Sequence, residues 1–293
     1  MLPEIFIIKL LDPLYKALMK VLVYHKIASK KQFEKQIHYL KNNYEIINPL
    51  LLEDYINNRI PLPENALMIT FDDGDFSIYR NAYPILKAEK IPAIIFVITG
   101  LIGTNRPFWW DEIEYFIEGK EGRAKVWEVK KWSNTNREIF LKRLRKESNK
   151  QELEYRQLSL TELREMHDSG IVIANHSHTH PMFDQCSLEE LENEIKISSN
   201  KLKKLNFISD AFAYPNGNFS RKSERTLKEA GMKLVFLFDH KINRGTINPF
   251  RISRLVVNDT TPIWKFKFIL SGIHSRILPI TKLIGKIYRK IKK

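Results

Sequence analysis

Short apolar runs that alternate with helical patterns are the feature that most constrains the fold of this 293-residue chain. Runs of about 4–8 residues that are rich in β-branched and aromatic side chains are typical of buried strands. Between them the apolar residues recur at helical spacing, as Phe33, Ile37 and Leu40 do. This alternation predicts βα units around a parallel sheet or barrel. The runs that we interpret as strands are Val21–Tyr24, Ala66–Phe71, Ala93–Ile98, Ile171–Ala174, Leu234–Phe238 and Arg254–Val257.

Two polar clusters follow directly after two of these predicted strands. Asp72-Asp73-Gly74 comes after the run 66–71, and His176-Ser177-His178-Thr179-His180 comes after the run 171–174. Parallel strands bring their C-terminal ends to one face of a sheet or barrel, where α/β enzymes carry their catalytic groups. Two imidazoles and one carboxylate can hold a metal ion and leave a position open for water. A second carboxylate beside that water suits a general base, so the pattern indicates a hydrolase.

Each cluster also has a simpler interpretation when it is taken alone. Asp-Gly is a common turn signal, and paired acids in a loop are usually just solvated. A His-x-x-x-His pattern without a carboxylate partner does not establish a metal site either. The two clusters together, each at a strand end, favour the metal site.

The chain resembles the polysaccharide deacetylases of the NodB-homology type, which form carbohydrate esterase family four. The first motif of that family is matched by Thr70-Phe71-Asp72-Asp73-Gly74, and the second by 175–181, Asn-His-Ser-His-Thr-His-Pro. A third motif, a Pro-x-Gly turn after a strand, is matched by Pro215-Asn216-Gly217. The likeness extends from about Val21 to Val257. It implies an α/β fold: a distorted (β/α) barrel with parallel strands, surrounding helices and a helical insertion.

The resemblance also implies roles for individual residues. Asp73, His176 and His180 are the expected ligands of a divalent metal. Zinc is the preferred ion, and cobalt, nickel or iron would also suit the ligands. Asp72 is the expected base that takes a proton from the attacking water, and the backbone N–H of Asn216 is expected to stabilise the oxyanion. The remaining histidine of the cluster, His178, would point the other way in an extended segment, which favours a structural role.

The general acid is not given by the usual motif. Many members of the family use a histidine in a Leu-x-His motif near the C-terminal end, and we find none here. Val23-Tyr24-His25 instead resembles the permuted arrangement of poly-N-acetylglucosamine deacetylases, in which an N-terminal strand delivers this histidine. We therefore expect His25 to be the acid, with His240, which also follows a predicted strand, as the alternative.

The third motif departs from the family pattern at its first position. The arginine that contacts the catalytic aspartate in the family is Ala213 here. Arg251 or Arg254 could take its place, and the sequence does not choose between them.

We divide the chain into three parts. Residues 1–20 are predicted to form a lead-in helix, residues 21–260 the deacetylase-like domain with a helical insertion at 106–155, and residues 261–293 a basic amphipathic helical tail. Trp109-Trp110, at the start of the insertion, are either core residues or a sugar-stacking platform. The single cysteine, Cys186, excludes an internal disulfide.

The charge of the chain is concentrated at its end. The net charge is +14, and the segment 271–293 carries seven basic residues and no acid. Isoleucines at helical spacing, from Ile280 to Ile291, make this segment either a membrane-surface helix or a helix packed on the domain. No nucleic-acid-binding signature accompanies the charge, so we expect no nucleic-acid partner.

The N-terminal segment does not resemble a targeting element. Lys9, Asp12, Pro13 and Lys16 interrupt its apolar residues, which does not suit a membrane span. The segment also lacks the basic start and the small-residue cleavage site of a signal peptide, and an uncleaved anchor is the alternative to the lead-in helix. We expect a cytoplasmic protein or one that lies at the inner membrane face.

The leading functional hypothesis is a metal-dependent hydrolase that removes N-acetyl groups from an N-acetylated polysaccharide or glycan precursor. One alternative keeps the metal chemistry and changes the substrate to a small non-sugar amide or an O-acetyl ester. Another is a catalytically weak glycan-binding protein.

Overall fold

The computed structural model describes residues 18–57, 59–207 and 210–274. Most of the predicted lead-in helix lies outside these residues. Its last three positions, Leu18–Lys20, do not form a helix, because they belong to the first strand, which begins at Leu18. Met19 and Val21 are fully buried in the interior of the sheet, which favours a strand at these positions.

Strands and helices alternate along most of the described chain. The strands are β1 (Leu18–Tyr24), β2 (Glu45–Ile46), β3 (Ala66–Phe71), β4 (Ala93–Val97), β5 (Ile171–Asn175), β6 (Ala211–Ala213), β7 (Leu234–Phe236), β8 (Asn243–Arg244) and β9 (Leu255–Val256). The α-helices are Lys30–Asn43, Pro49–Ile56, Tyr83–Ala88, Trp109–Phe116, Gly119–Val129, Asn134–Glu147, Leu160–Asp168, Leu188–Lys204, Arg221–Glu229 and Ile263–Leu270. A π-helical turn, Ile78–Ala82, precedes the helix that begins at Tyr83.

The strands form one curled and mostly parallel sheet. Its order is β7-β6-β5-β4-β3-β1, and all of these neighbours are parallel. β9 continues the sheet in parallel beside β1, whereas β8 pairs with the start of β1 in the antiparallel sense. A bridge between Phe236 and Ile252 joins the segment before β9 to β7, so this segment contacts both edges of the sheet. The fold is therefore a distorted (β/α) barrel, as the sequence predicted.

Side chains alternate between the inside of the barrel and the surrounding helices, as the pleat of a strand requires. On β4, Ile94 and Phe96 belong to the inner apolar cluster, whereas Ile95 and Val97 pack in the outer one. The same alternation on β3 sends Thr70 inward and Phe71 outward. A residue that directly follows one of these strands at an inward-facing position of this alternation therefore lies at the mouth of the barrel.

The stretch 106–155 contains three helices, which begin at Trp109, Gly119 and Asn134. They share an apolar cluster of their own, which is separate from the three clusters to which the barrel strands contribute. The cluster contains Trp109, Ile113, Val126, Val129, Leu141 and, from the loop after β5, Met182. The insertion thus packs against the segment that carries the histidine motif.

The boundary of the predicted C-terminal tail needs a correction. The helix Ile263–Leu270 falls inside the predicted tail, yet Phe266, Ile269 and Leu270 are buried in the outer cluster of the barrel. The ring of Phe266 lies 6.4 Å from that of Tyr39 on the helix Lys30–Asn43. This helix therefore belongs to the domain, and the isoleucine-rich segment 280–291 lies outside the described residues. Among the residues described here, no helix is both long and apolar enough to cross a bilayer.

Candidate metal centre

The C-terminal ends of four strands bring the predicted site residues to one mouth of the barrel. His25 follows β1, Asp72 and Asp73 follow β3, and the histidine cluster follows β5. The turn with Asn216 follows β6. This is the arrangement that parallel strands impose, because their C-terminal ends lie on the same side.

Asp73, His176 and His180 form a compact group of three buried side chains. Nε2 of His176 lies 3.3 Å from Oδ1 of Asp73, and Nε2 of His180 lies 3.5 Å from the same oxygen. One ligand atom from each residue lies within 4.8 Å of the other two. Oδ1 of Asp73 is buried and accepts no hydrogen bond from the described residues. A buried carboxylate oxygen without a donor, facing two imidazole nitrogens, suits a divalent cation as its missing partner.

The orientation of the His176 ring is fixed from behind. Its Nδ1 lies 2.8 Å from the carbonyl oxygen of Ala213. A ring that donates from Nδ1 to this carbonyl keeps its Nε2 lone pair free on the side of Asp73. Such support of a metal-binding histidine is common at metal sites.

The backbone of the site is strained at the same positions. Asp73, Ser177 and His180 have φ values of 69°, 68° and 58°. These values lie in the left-handed region, which residues other than glycine rarely adopt. Strain of this kind is concentrated at functional sites and persists only where surrounding contacts enforce it. Two of the three strained residues are candidate metal ligands.

The surroundings of Asp73 and His180 lower the pKa of both groups. Burial raises the pKa of Asp73, but the neighbouring rings of His176, His25 and His180 outweigh it, so the pKa lies well below its ordinary value. Burial lowers the pKa of His180 well below its ordinary value, and His176 lowers it further. Asp73 is therefore anionic and His180 is neutral near neutral pH, which are the forms that bind a metal.

Asp72 is held by an arginine that immediately precedes β9, the strand beside β1. Nη1 and Nη2 of Arg254 donate to its two carboxylate oxygens at 2.6 and 2.7 Å. Nη1 also lies 3.2 Å from the hydroxyl of Thr70, and the Arg254 side chain is fully buried. Arg251, the other candidate, pairs with Glu224 instead. Arg254 thus occupies the role that the family gives to an arginine at the position of Ala213.

His25 lines the same cavity as Asp73 and His180, and His240 lines a different one. The cavity at the mouth of the barrel has a volume of about 680 Å³ and is lined by His25, Asp72, Asp73 and His180, among others. Nδ1 of His240 accepts the N–H of Val256, and its Nε2 lies 2.6 Å from Nδ1 of His274. Of the two histidines, only His25 lines the cavity that Asp73 and His180 also line.

The turn after β6 also lines this cavity. Asn216 has a φ of 57°, and Nζ of Lys130 donates to its side-chain oxygen at 2.8 Å. A Cβ on the neighbouring Gly217 would lie 2.4 Å from Cβ of Phe238, so only glycine fits there. Lys130 comes from the end of the second insertion helix, and no local pattern in the sequence indicates that it reaches the site.

The two adjacent tryptophans have different surroundings. Trp109 is buried in the cluster of the insertion, and its Nε1–H donates to the carbonyl oxygen of His180 at 3.2 Å. Trp110 is half-buried, lines the cavity and has its ring centre 4.8 Å from that of His180. The core interpretation therefore holds for Trp109, and a contact with sugar stays a prediction for Trp110.

His178 is not part of the triad. Its Nδ1 lies 2.9 Å from the hydroxyl of Thr99, and its backbone N–H donates to Glu194. The structural role expected from the sequence agrees with these contacts.

Comparisons with known proteins identify the family of this chain. The family model described as polysaccharide deacetylase matches residues 59–235, more than half of the chain. The poly-beta-1,6-N-acetyl-D-glucosamine N-deacetylase of Staphylococcus aureus (strain MRSA252) is 27% identical over 232 residues, which cover 79% of this chain and 68% of that protein.

Two solved structures share the fold of this chain. IcaB from Ammonifex degensii has a TM-score of 0.63 and 24% identity, and the match covers 87% of this chain and 96% of that one. The Streptococcus pyogenes deacetylase PplD in complex with acetate has a TM-score of 0.63 and 20% identity, with 88% and 98% covered. The barrel, the three motifs at its strand ends and the family match agree, and the chain belongs to the polysaccharide deacetylase family.

Proposed function

We propose that this protein is a metal-dependent N-deacetylase of an N-acetylated glucosamine polysaccharide. The observation that carries the proposal is the buried group of Asp73, His176 and His180 beside the Asp72–Arg254 pair. The curated relatives named poly-beta-1,6-N-acetyl-D-glucosamine N-deacetylase support the β-1,6-linked polymer as the first substrate to test.

Asp73, His176 and His180 would hold the divalent cation. A cation there supplies a Lewis acid that activates water and polarises the amide carbonyl. We propose zinc as this ion, because imidazole and carboxylate ligands suit it, with cobalt, nickel and iron as the alternatives.

In the proposed reaction, water adds its oxygen to the carbonyl carbon of the acetamide group. Asp72 takes the proton of this water, and the two hydrogen bonds from Arg254 fix the orientation of its carboxylate. The backbone N–H of Asn216 donates to the oxyanion that forms on the carbonyl oxygen. The carbon–nitrogen bond then breaks, and acetate and the free amine are released.

The amine is a poor leaving group unless it is protonated. We propose that His25 supplies this proton, since it lines the cavity that also contains Asp72 and Asp73. The contacts of His240 with Val256 and His274 do not favour it for this role.

The test is acetate release from oligomers of β-1,6-linked N-acetylglucosamine, with zinc, cobalt or nickel added. Asp72→Asn should keep its metal and lose ~10²–10⁴-fold in turnover, which is the usual contribution of a general base. Oligomers with β-1,4 linkages, small aryl amides and O-acetyl esters test the alternative substrates. Binding of the oligomers without acetate release from any substrate would instead support a glycan-binding protein.

The membrane contact inferred from the basic C-terminal segment stays a prediction, as does action in the cytoplasm or at the inner membrane face. The basic segment lies outside the described residues, and its support is the charge pattern of the sequence.

A further inference from the structure

The loop that carries the candidate metal ligands has no regular secondary structure to hold it. Residues 176–180 follow β5, and Ser177 and His180 in this loop have left-handed backbone conformations. Neither conformation is favoured by the local chain, since neither residue is a glycine. Within the segment, the N–H of His180 donates to Oγ of Ser177 and the N–H of Ser177 donates to Oδ1 of Asn175, and contacts from other parts of the molecule add to this support.

The amide side of the loop is bound by a carboxylate of the barrel. Oε2 of Glu194 accepts the backbone N–H groups of His178 and Thr179, both at 2.8 Å. Its Oε1 accepts the hydroxyl of Thr179 at 2.7 Å. Glu194 lies on the helix Leu188–Lys204 and is itself buried.

The carbonyl side of the same loop is bound by a guanidinium group from the insertion. Nη1 of Arg137 donates to the carbonyl oxygen of His180 at 2.6 Å. Its Nη2 donates to the carbonyl oxygen and the hydroxyl of Thr179, at 3.0 and 2.9 Å. The indole N–H of Trp109, also in the insertion, donates to the same carbonyl oxygen of His180.

The charge of the Arg137 guanidinium group is buried. It is 2% exposed, and its carboxylate partner, Glu138, has a side chain that is 48% exposed. A buried charge is unfavourable unless hydrogen bonds compensate for it, and the loop accepts three of the four hydrogen bonds that Arg137 donates to the described residues, two at carbonyl oxygens and one at the Thr179 hydroxyl. The compensation of the buried Arg137 charge therefore depends on the conformation of the loop.

We propose that Arg137 is a positioning residue that holds His180 in its ligand conformation and so sets the affinity for the divalent cation. The helical insertion is then part of the metal centre. The inference rests on the metal site of the proposed function and does not require the deacetylase reaction. Partners that orient metal ligands typically contribute 10–100-fold to metal affinity.

The experiment measures the dissociation constants of Zn²⁺ and Co²⁺ by competition with a chelating dye. Arg137→Gln should bind both ions ~10–100-fold more weakly than the unaltered protein. Arg137→Lys keeps the charge without the fork and should fall between the two. Arg143→Gln is the matched control, since Arg143 lies on the same helix with its side chain 68% exposed, and it should leave the affinity unchanged.

Two further readouts separate positioning from a general loss of structure. The visible absorption of bound Co²⁺ reports the ligand geometry, and it should change in Arg137→Gln and not in Arg143→Gln. A folded Arg137→Gln protein with unchanged zinc affinity and an unchanged cobalt spectrum would overturn the proposal.

If Arg137→Gln does not fold, Arg137→Lys and Trp109→Phe decide the question. Trp109→Phe removes the other donor to the His180 carbonyl and keeps an aromatic ring in the core. Unaltered affinity in both variants would overturn the proposal as well. An unaltered protein that binds zinc and releases no acetate would instead contradict the proposed function and leave this inference standing.

Discussion

The pair of Asp72 and Arg254 joins the proposed base to the segment before β9, which is separated from β3 in the sheet by β1. Asp72 follows β3, whereas Arg254 immediately precedes β9, 182 residues later. The two hydrogen bonds from Arg254 fix the orientation of the Asp72 carboxylate at the mouth of the barrel. Because both side chains are buried, removing one partner leaves the other charge uncompensated.

We predict that Arg254→Met lowers the free energy of unfolding by about 3–5 kcal/mol, as the breaking of a buried pair does. In the Asp72→Asn background the same change should be less costly, since no charge is then left unpaired. Arg251→Met is the control, because the Arg251–Glu224 pair is partly exposed and should contribute no more than ~1 kcal/mol. Chemical denaturation measures all four variants. Equal losses in the Arg251 and Arg254 variants would argue against a special pair.

The role of His25 leads to a prediction about leaving groups. His25→Ala should lower the turnover of acetamide substrates by ~10²–10⁴-fold, the range of general acid catalysis. O-acetyl esters with good leaving groups need less protonation and should be affected much less. Steady-state kinetics on a matched amide and ester test this, and His240→Ala is the control. An equal loss on both substrates would show that His25 has a structural role.

At the scale of elements, the turn after β6 depends on the close approach of the chain after β7. A Cβ at position 217 would lie 2.7 Å from the backbone nitrogen of Phe238 as well as against its side chain. Backbone atoms cannot move aside as a flexible side chain can. Gly217 therefore fixes the position of Asn216, whose N–H is the proposed oxyanion donor.

We predict that Gly217→Ala destabilises the protein and lowers turnover, whereas Gly231→Ala only destabilises it. Both glycines have positive φ, 70° and 79°, but a Cβ at position 231 meets nothing within 4 Å. Gly231→Ala should cost about 1–2 kcal/mol from the backbone alone. Gly217→Ala should cost more, because Phe238 must shift. Thermal unfolding and acetate release measure both effects, and equal behaviour of the two variants would contradict this reading of the turn.

The elements that the sequence predicted are those with local signals. The strands before the acid pair and the histidine cluster are within one residue of their predicted ends. The helix expected up to Lys20 was wrong at its last three positions, because an apolar segment without clear period does not distinguish a helix from a buried strand.

The supports of the site could not be predicted in the same way. Lys130 meets a residue 86 positions away, and Arg137 meets residues 42 and 43 positions away. Such contacts depend on how the insertion packs against the barrel, and neither residue belongs to a motif. Of the two candidate arginines, Arg254 contacts Asp72, whereas Arg251 pairs with Glu224. Which of the two side chains points into the barrel depends on the alternation of the chain next to β9.

At the scale of the whole molecule, the charge is unevenly distributed along the chain. The net charge is +14, and seven of the basic residues lie in the segment 271–293, which has no acid. The helix Ile263–Leu270, which precedes this segment, packs on the barrel. The isoleucines and lysines of residues 275–293 lie outside the described residues.

We predict that deleting residues 280–293 weakens binding to anionic vesicles and leaves acetate release from short soluble oligomers unchanged. A basic residue near an anionic surface contributes about 1 kcal/mol to binding, so the loss should be large and should diminish at high salt. Sedimentation with anionic and with neutral vesicles measures the effect. Unfolding of the shortened protein would show instead that the isoleucines pack on the domain.

The central claim, a metal-dependent deacetylase built on Asp73, His176 and His180, is tested most directly by one measurement. Acetate release from β-1,6-linked N-acetylglucosamine oligomers is followed for the protein as purified, after removal of metal with a chelator, and after addition of zinc or cobalt. We predict that chelation abolishes the release, that added metal restores it, and that Asp73→Ala shows no restoration at the same metal concentration. Release that persists in the metal-free protein, or in Asp73→Ala, would contradict the account.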